Sequence, residues 1–76
     1  MEQVRIKDEY IKLEQAMKLS GACSMGSDAK YAIREGLVLV NGAPVLQRGK
    51  KLRRGDVFSY EGHDYRILGT EQLSEL

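Results

Sequence analysis

The 76-residue sequence predicts an α+β domain in which two helices pack on a small, mainly antiparallel sheet of about four to five short strands. Three observations carry this. Two neighbouring segments place apolar residues at helical spacing, with a glycine after each. A β-prone run, LVLV, ends in Asn-Gly. Two further β-prone runs follow, each bounded by a glycine turn.

Residues 3–7 (QVRIK) alternate, with Val4 and Ile6 on one side, which fits a short strand. In residues 13–20, Leu13, Ala16, Met17 and Ser20 follow the i, i+3, i+4, i+7 pattern of one helical stripe. Gly21 then stands where a left-handed C-terminal residue is wanted. The second helix is expected to start at Gly26 or Ser27, with Asp28 favoured in its first turn by the helix dipole. Ala29, Ala32 and Ile33 form its apolar stripe and Gly36 ends it. Lys30 and Arg34, four residues apart, share another face, with Tyr31 alongside.

Residues 37–40 (LVLV) read as a strand running into Asn41-Gly42, a strong hairpin signal because both residues tolerate positive φ. The return begins at Ala43, with Pro44 confined to an edge. A basic loop, RGKKLRRGD, follows at 48–56. Gly55-Asp56 turns the chain into VFSY (57–60), Glu61-Gly62-His63 makes another turn, and DYRIL (64–68) returns. One domain is expected over residues 1–76, with a tail at about 69–76 prone to fray.

The composition, 42% hydrophobic and 30% charged, is that of a globular protein rather than a disordered one. At this length the core is thin, and a deep, dry active site is hard to build. A single cysteine, Cys23, excludes an internal disulfide and suits a reducing compartment. No membrane span or signal peptide is apparent, so a cytoplasmic location is expected.

The net charge of +1 conceals an asymmetry. From Lys30 to Arg54 seven basic residues stand against one acid, Glu35, a local charge of +6. The other five basic and ten acidic residues leave −5. Five of the cations, Arg48, Lys50, Lys51, Arg53 and Arg54, crowd into the 48–54 loop without an acid and repel one another unless an anion is present. Lys30 and Arg34 on the second helix add an independent pair. Together they predict a surface for a polyanion, against the plainer reading of a solvated loop. Tyr31 is placed either to stack on a base or to rim the core. The start of the second helix, at Gly26 and Ser27, offers backbone N–H groups to a phosphate.

Catalytic readings are weak. His63 is the sole histidine, which rules out a histidine-based metal cluster. Cys23 lacks a neighbouring base and reads as a small buried thiol. The serines lack a nucleophile-elbow context, and the glycine turns match no nucleotide-binding loop. No enzyme activity, metal, cofactor or small-molecule substrate is expected.

The order of these features resembles the S-four-type RNA-binding domain, named after ribosomal small-subunit protein four. LEQAMKLSG, SDAKYAIREG, LVLVNG and RGKKLRRGDVF carry the resemblance, over about residues 12–60. Its most specific parts are Ala29-Lys30, Glu35-Gly36, Val40-Asn41-Gly42 and Gly55-Asp56. The chain looks like the short, stand-alone bacterial members of that family, whose helices and hairpin form the alpha-L motif. The resemblance implies that Gly26, Ser27, Lys30, Arg34, Lys50, Lys51, Arg53 and Arg54 contact structured RNA, with ribosomal RNA or the ribosome as candidate targets. Many family members carry Ser-Arg where this chain has Met25-Gly26, so a contact there would come from backbone. A monomer is expected. Two rival partners would use the same cations: an acidic protein, for which the chain would be an adaptor, and duplex DNA. A short second helix ending at Gly36 disfavours DNA.

Overall fold

The computed structural model describes residues 2–23 and 26–69. Its elements run β1 (Glu2–Ile6), β2 (Ile11–Lys12), α1 (Leu13–Leu19), α2 (Gly26–Arg34), β3 (Leu39–Val40), β4 (Ala43–Pro44), β5 (Lys51–Leu52), β6 (Val57–Tyr60) and β7 (His63–Gly69). Five strands form one sheet in the order β1-β7-β6-β3-β4, and β2 pairs with β5 in a separate two-stranded ribbon. All pairs are antiparallel except β1 with β7. The expected α+β architecture, two helices with a mainly antiparallel sheet, is the one observed.

Alternation decides which sheet face is covered. In β1 only Val4 and Ile6 are buried, and in β7 the buried positions are Tyr65, Ile67 and Gly69. Each helix turns its stripe to the same interior: Leu13, Ala16 and Met17 from α1, and Ala29, Ala32 and Ile33 from α2. These residues join Val38, Val40, Leu52, Phe58 and Cys23 in one buried cluster. Phe58 and Tyr65 face each other across β6 and β7, with stacked rings whose centroids are 4.7 Å apart. Burying such side chains is the main favourable term for so small a fold.

α1 stops where its pattern ends. Ser20 closes it, its hydroxyl donating to the Met17 carbonyl at 3.1 Å. α2 ends in a six-to-one closure: the Leu37 N–H donates to Ala32 O at 3.0 Å, and the Gly36 N–H to Ile33 O at 3.1 Å. This closure takes Leu37 out of the strand that its sequence suggests. Only Leu39 and Val40 pair, while Leu37 is 52% exposed.

Asn41 and Gly42 both adopt positive φ, 51° and 87°, and form the expected two-residue hairpin turn between β3 and β4. Pro44 lies in β4, at the sheet edge, where its missing N–H costs no ladder bond. The next hairpin differs from the expected three-residue turn. His63 pairs with Tyr60, so the turn is Glu61-Gly62 alone and His63 opens β7. β7 extends to Gly69, and the rest of the C-terminal tail lies outside the described residues, as do Ser24 and Met25. No described helix is long and apolar enough to cross a membrane.

Candidate nucleic-acid interface

α2 builds the first half of the site by phase alone. At about 100° per residue, burying Ala29, Ala32 and Ile33 forces Lys30, Tyr31 and Arg34 outward. All three are exposed, as is Ser27 in the first turn. Arg34 also lies in the last turn, where a cation complements the helix dipole.

The second half is the 48–56 run, which is not a free loop. Its backbone is fastened at three places. Near its start, main-chain carbonyls cap α1: the Leu13 N–H donates to Lys50 O at 2.8 Å and the Glu14 N–H to Arg48 O at 3.2 Å. The residue preceding α1, Lys12, makes no side-chain cap, so the loop carbonyls meet the donors that every helix start leaves open. In the middle, Lys51 and Leu52 form β5 against Lys12 and Ile11, with Leu52 fully buried and Lys51 exposed. The Lys51 ammonium lies 4.8 Å from the centre of the Tyr10 ring.

At its end, Arg53 to Asp56 make a tight turn. The Asp56 N–H donates to Arg53 O at 3.0 Å, and the Arg53 N–H donates to Asp56 Oδ2 at 2.8 Å. Gly55 has a φ of 93°, a conformation natural to glycine at this turn position. Asn41 ties the turn to the β3–β4 hairpin. Its Nδ2 donates to Asp56 Oδ1 at 3.3 Å, and its Oδ1 accepts from the Val57 N–H at 3.1 Å. Sequence reasoning took Asn41 and Asp56 for turn formers only. Their pairing links residues 15 positions apart and leaves no local pattern.

Arg48, Lys50, Lys51, Arg53 and Arg54 are all exposed. The stem of Arg54 packs over Gly69, where a Cβ would overlap it. The two halves of the surface meet in a depression of about 380 Å³ lined by Lys30, Arg34, Arg48 and Leu46, with no acid among these residues. Leu46 is 64% exposed; sequence reasoning placed it on the returning strand and did not consider it for the site. Tyr31 turns toward another depression, lined also by Ala22, Cys23, Asp28, Tyr60 and Glu61. The helix cations and Arg48 thus share one hollow, while the helix tyrosine belongs to a neighbouring, more acidic one.

Cys23 is buried, and burial, followed by the charge of Asp28, pushes its thiol above the ordinary value. Tyr60 is pushed up to about 12, first by its hydrogen bond with Glu61. A thiol held in its protonated form is a poor nucleophile. Both groups keep their protons more tightly when folded than when unfolded, so their contribution is complete below the unfolded values of 9.0 and 10.0. It is lost as pH rises beyond them. These two groups are therefore expected to lower the melting temperature as pH rises from about 9 toward 12. Tyr60→Phe should make the fall shallower; an identical fall in both chains would exclude Tyr60 as a contributor.

Comparison with known proteins places this geometry in a family. The S4 domain matches residues 4–68. The chain belongs to the S4 domain family. It is 42% identical over 59 residues to the "Probable ribosome maturation protein RlbA" of Bacillus subtilis (strain 168), covering 78% of this chain and 83% of that one. It is 34% identical over 62 residues to YbcJ of Escherichia coli (strain K12), covering 82% and 89% of the two chains. The solution structure of YbcJ from E. coli, described as revealing an αL motif involved in RNA binding, superimposes with a TM-score of 0.70. That match has 32% identity and covers 90% of this chain and 87% of the other. This S4-domain chain thus has the αL architecture that the order of its motifs implied.

Proposed function

We propose that this S4-domain chain is a non-enzymatic RNA-binding protein of the cytoplasm, acting as a monomer on structured RNA of the ribosome. Contact is made by backbone at Gly26 and Ser27, by Lys30, Tyr31 and Arg34 of α2, and by Arg48, Lys50, Lys51, Arg53 and Arg54. The observation that carries this reading is the hollow in which Lys30 and Arg34 of one element meet Arg48 of another without an acid between them. Cations gathered from separate elements suit a folded RNA, whose phosphates are unevenly spaced. The similarity to YbcJ supports RNA as the partner, and that to RlbA supports the ribosome as its source.

The test is titration of the labelled protein with a structured ribosomal RNA fragment across salt concentrations. Neutralising about four to six phosphates gives a log–log slope of about −3 to −5. A slope near zero would refute the electrostatic account. Duplex DNA at equal salt should bind more weakly, and an acidic protein bound at this face should be displaced by the RNA.

A further inference from the structure

We infer that the hollow between α2 and the β4–β5 connection is a seat for one unpaired nucleotide. Its base lies on Leu46 and its phosphate between Lys30, Arg34 and Arg48. This deepens the RNA reading above and rests on it.

The chemistry of the lining makes the case. A surface that only grips phosphates needs cations and water, yet here an aliphatic side chain, 64% exposed, stands among three cations. Leu19 is about as exposed, and single exposed leucines are common; what sets Leu46 apart is its place among three cations. Leu46 is also backed by the end of α2: a Cβ built on Gly36 would touch its Cδ2 at 3.7 Å, so the side chain lies against that backbone. It therefore forms one wall of the hollow.

The cations select what covers that wall. Three positive charges without an acid repel a cationic segment, and a purely apolar segment would leave the guanidinium and ammonium groups without partners. An unpaired nucleotide has both parts: a flat, weakly polar base face and, across the ribose, an anionic phosphate. The volume, about 380 Å³, sits at the small end of ligand sites, which suits one nucleotide and not a duplex edge. Bases inside an A-form helix keep their faces stacked, so a base can lie on Leu46 only from a bulge, loop or strand end. Tyr31, the residue whose ring would be the obvious stacking platform, opens instead onto the neighbouring hollow with Asp28 and Glu61 and is left to contact another part of the RNA.

The experiment compares two RNA hairpins of one stem sequence, with and without a single bulged nucleotide, at fixed salt by fluorescence anisotropy. The intact protein is expected to prefer the bulged hairpin by about tenfold. Leu46→Ser is expected to lower binding of the bulged RNA to the level of the plain hairpin, leaving the plain hairpin's affinity and salt slope unchanged. With 2-aminopurine at the bulge, binding should change its fluorescence, and Leu46→Ser should abolish that change. Equal affinity of the intact protein for both hairpins overturns the nucleotide seat and leaves the RNA reading standing. Equal weakening of both RNAs by Leu46→Ser, at an unchanged melting temperature, overturns it too. Failure to bind either RNA removes the reading on which it rests.

Discussion

A chain carrying Lys30→Glu and Arg34→Glu together is expected to bind structured RNA about a hundredfold more weakly than the native protein. Each phosphate contact contributes a salt-dependent slope of about 0.9, so losing two near 0.1 M salt costs roughly sixty-fold, and reversed charges add repulsion. The slope itself should become shallower by about two. The fold should survive. Both side chains are exposed, and the pair lies outside the buried stripe of Ala29, Ala32 and Ile33. A glutamate at position 34 meets the negative end of the helix dipole, at a cost of about 0.3–1 kcal/mol. Anisotropy titrations alongside a thermal melt separate the two effects. Binding within about threefold of native, from a chain that melts normally, would show that α2 takes no part.

Leu52→Ala should produce the other large effect, this time on stability. Leu52 is fully buried and is the sole apolar residue between Arg48 and Arg54. Truncating a buried leucine costs about 2–5 kcal/mol, while a chain of this length has roughly 4–11 kcal/mol in total. A lower urea midpoint is the expected result. Urea denaturation at neutral pH measures it directly, and a loss below about 1 kcal/mol would mean that the ribbon is not anchored through Leu52. The consequence for binding is indirect. Leu52 touches no RNA in the proposed mode, yet its strand presents Lys51 and holds the flanking arginines to the body of the protein. RNA affinity in Leu52→Ala should fall in step with the folded fraction and recover on cooling.

How much of this was readable in advance depended on the range of the interaction. Both helices were legible, because Leu13, Ala16 and Met17, like Ala29, Ala32 and Ile33, repeat at the helical period and a glycine follows each helix. The β3–β4 turn was legible because Asn41-Gly42 needs only its own backbone. The ribbon was not. Ile11-Lys12 and Lys51-Leu52 are two-residue strands some forty positions apart, too short to show alternation. A lone leucine inside a basic run was the single hint. The parallel pairing of β1 with β7 joins the two ends of the described chain, and no local signal announces it. At Leu37 strand propensity was real but lost to the closure of α2, which needs that residue's N–H. His63 was expected in the turn, but Glu61-Gly62 closes the hairpin with two residues and leaves His63 to open β7. The cations of the candidate face were visible as charges. Leu46, between Val45 and Gln47, resembled any strand remnant until the fold brought it beside Arg34.

The capping of α1 by the carbonyls of Arg48 and Lys50 has an evolutionary corollary. Every amino acid supplies the same carbonyl, so the anchorage of this strap is indifferent to which side chains it displays. Substitutions at 48 and 50 can change charge, length or hydrogen-bonding character at little cost to the scaffold. A descendant of this protein could thus be re-aimed at a different RNA by changing a few surface positions, with α1, β5 and the buried core inherited intact.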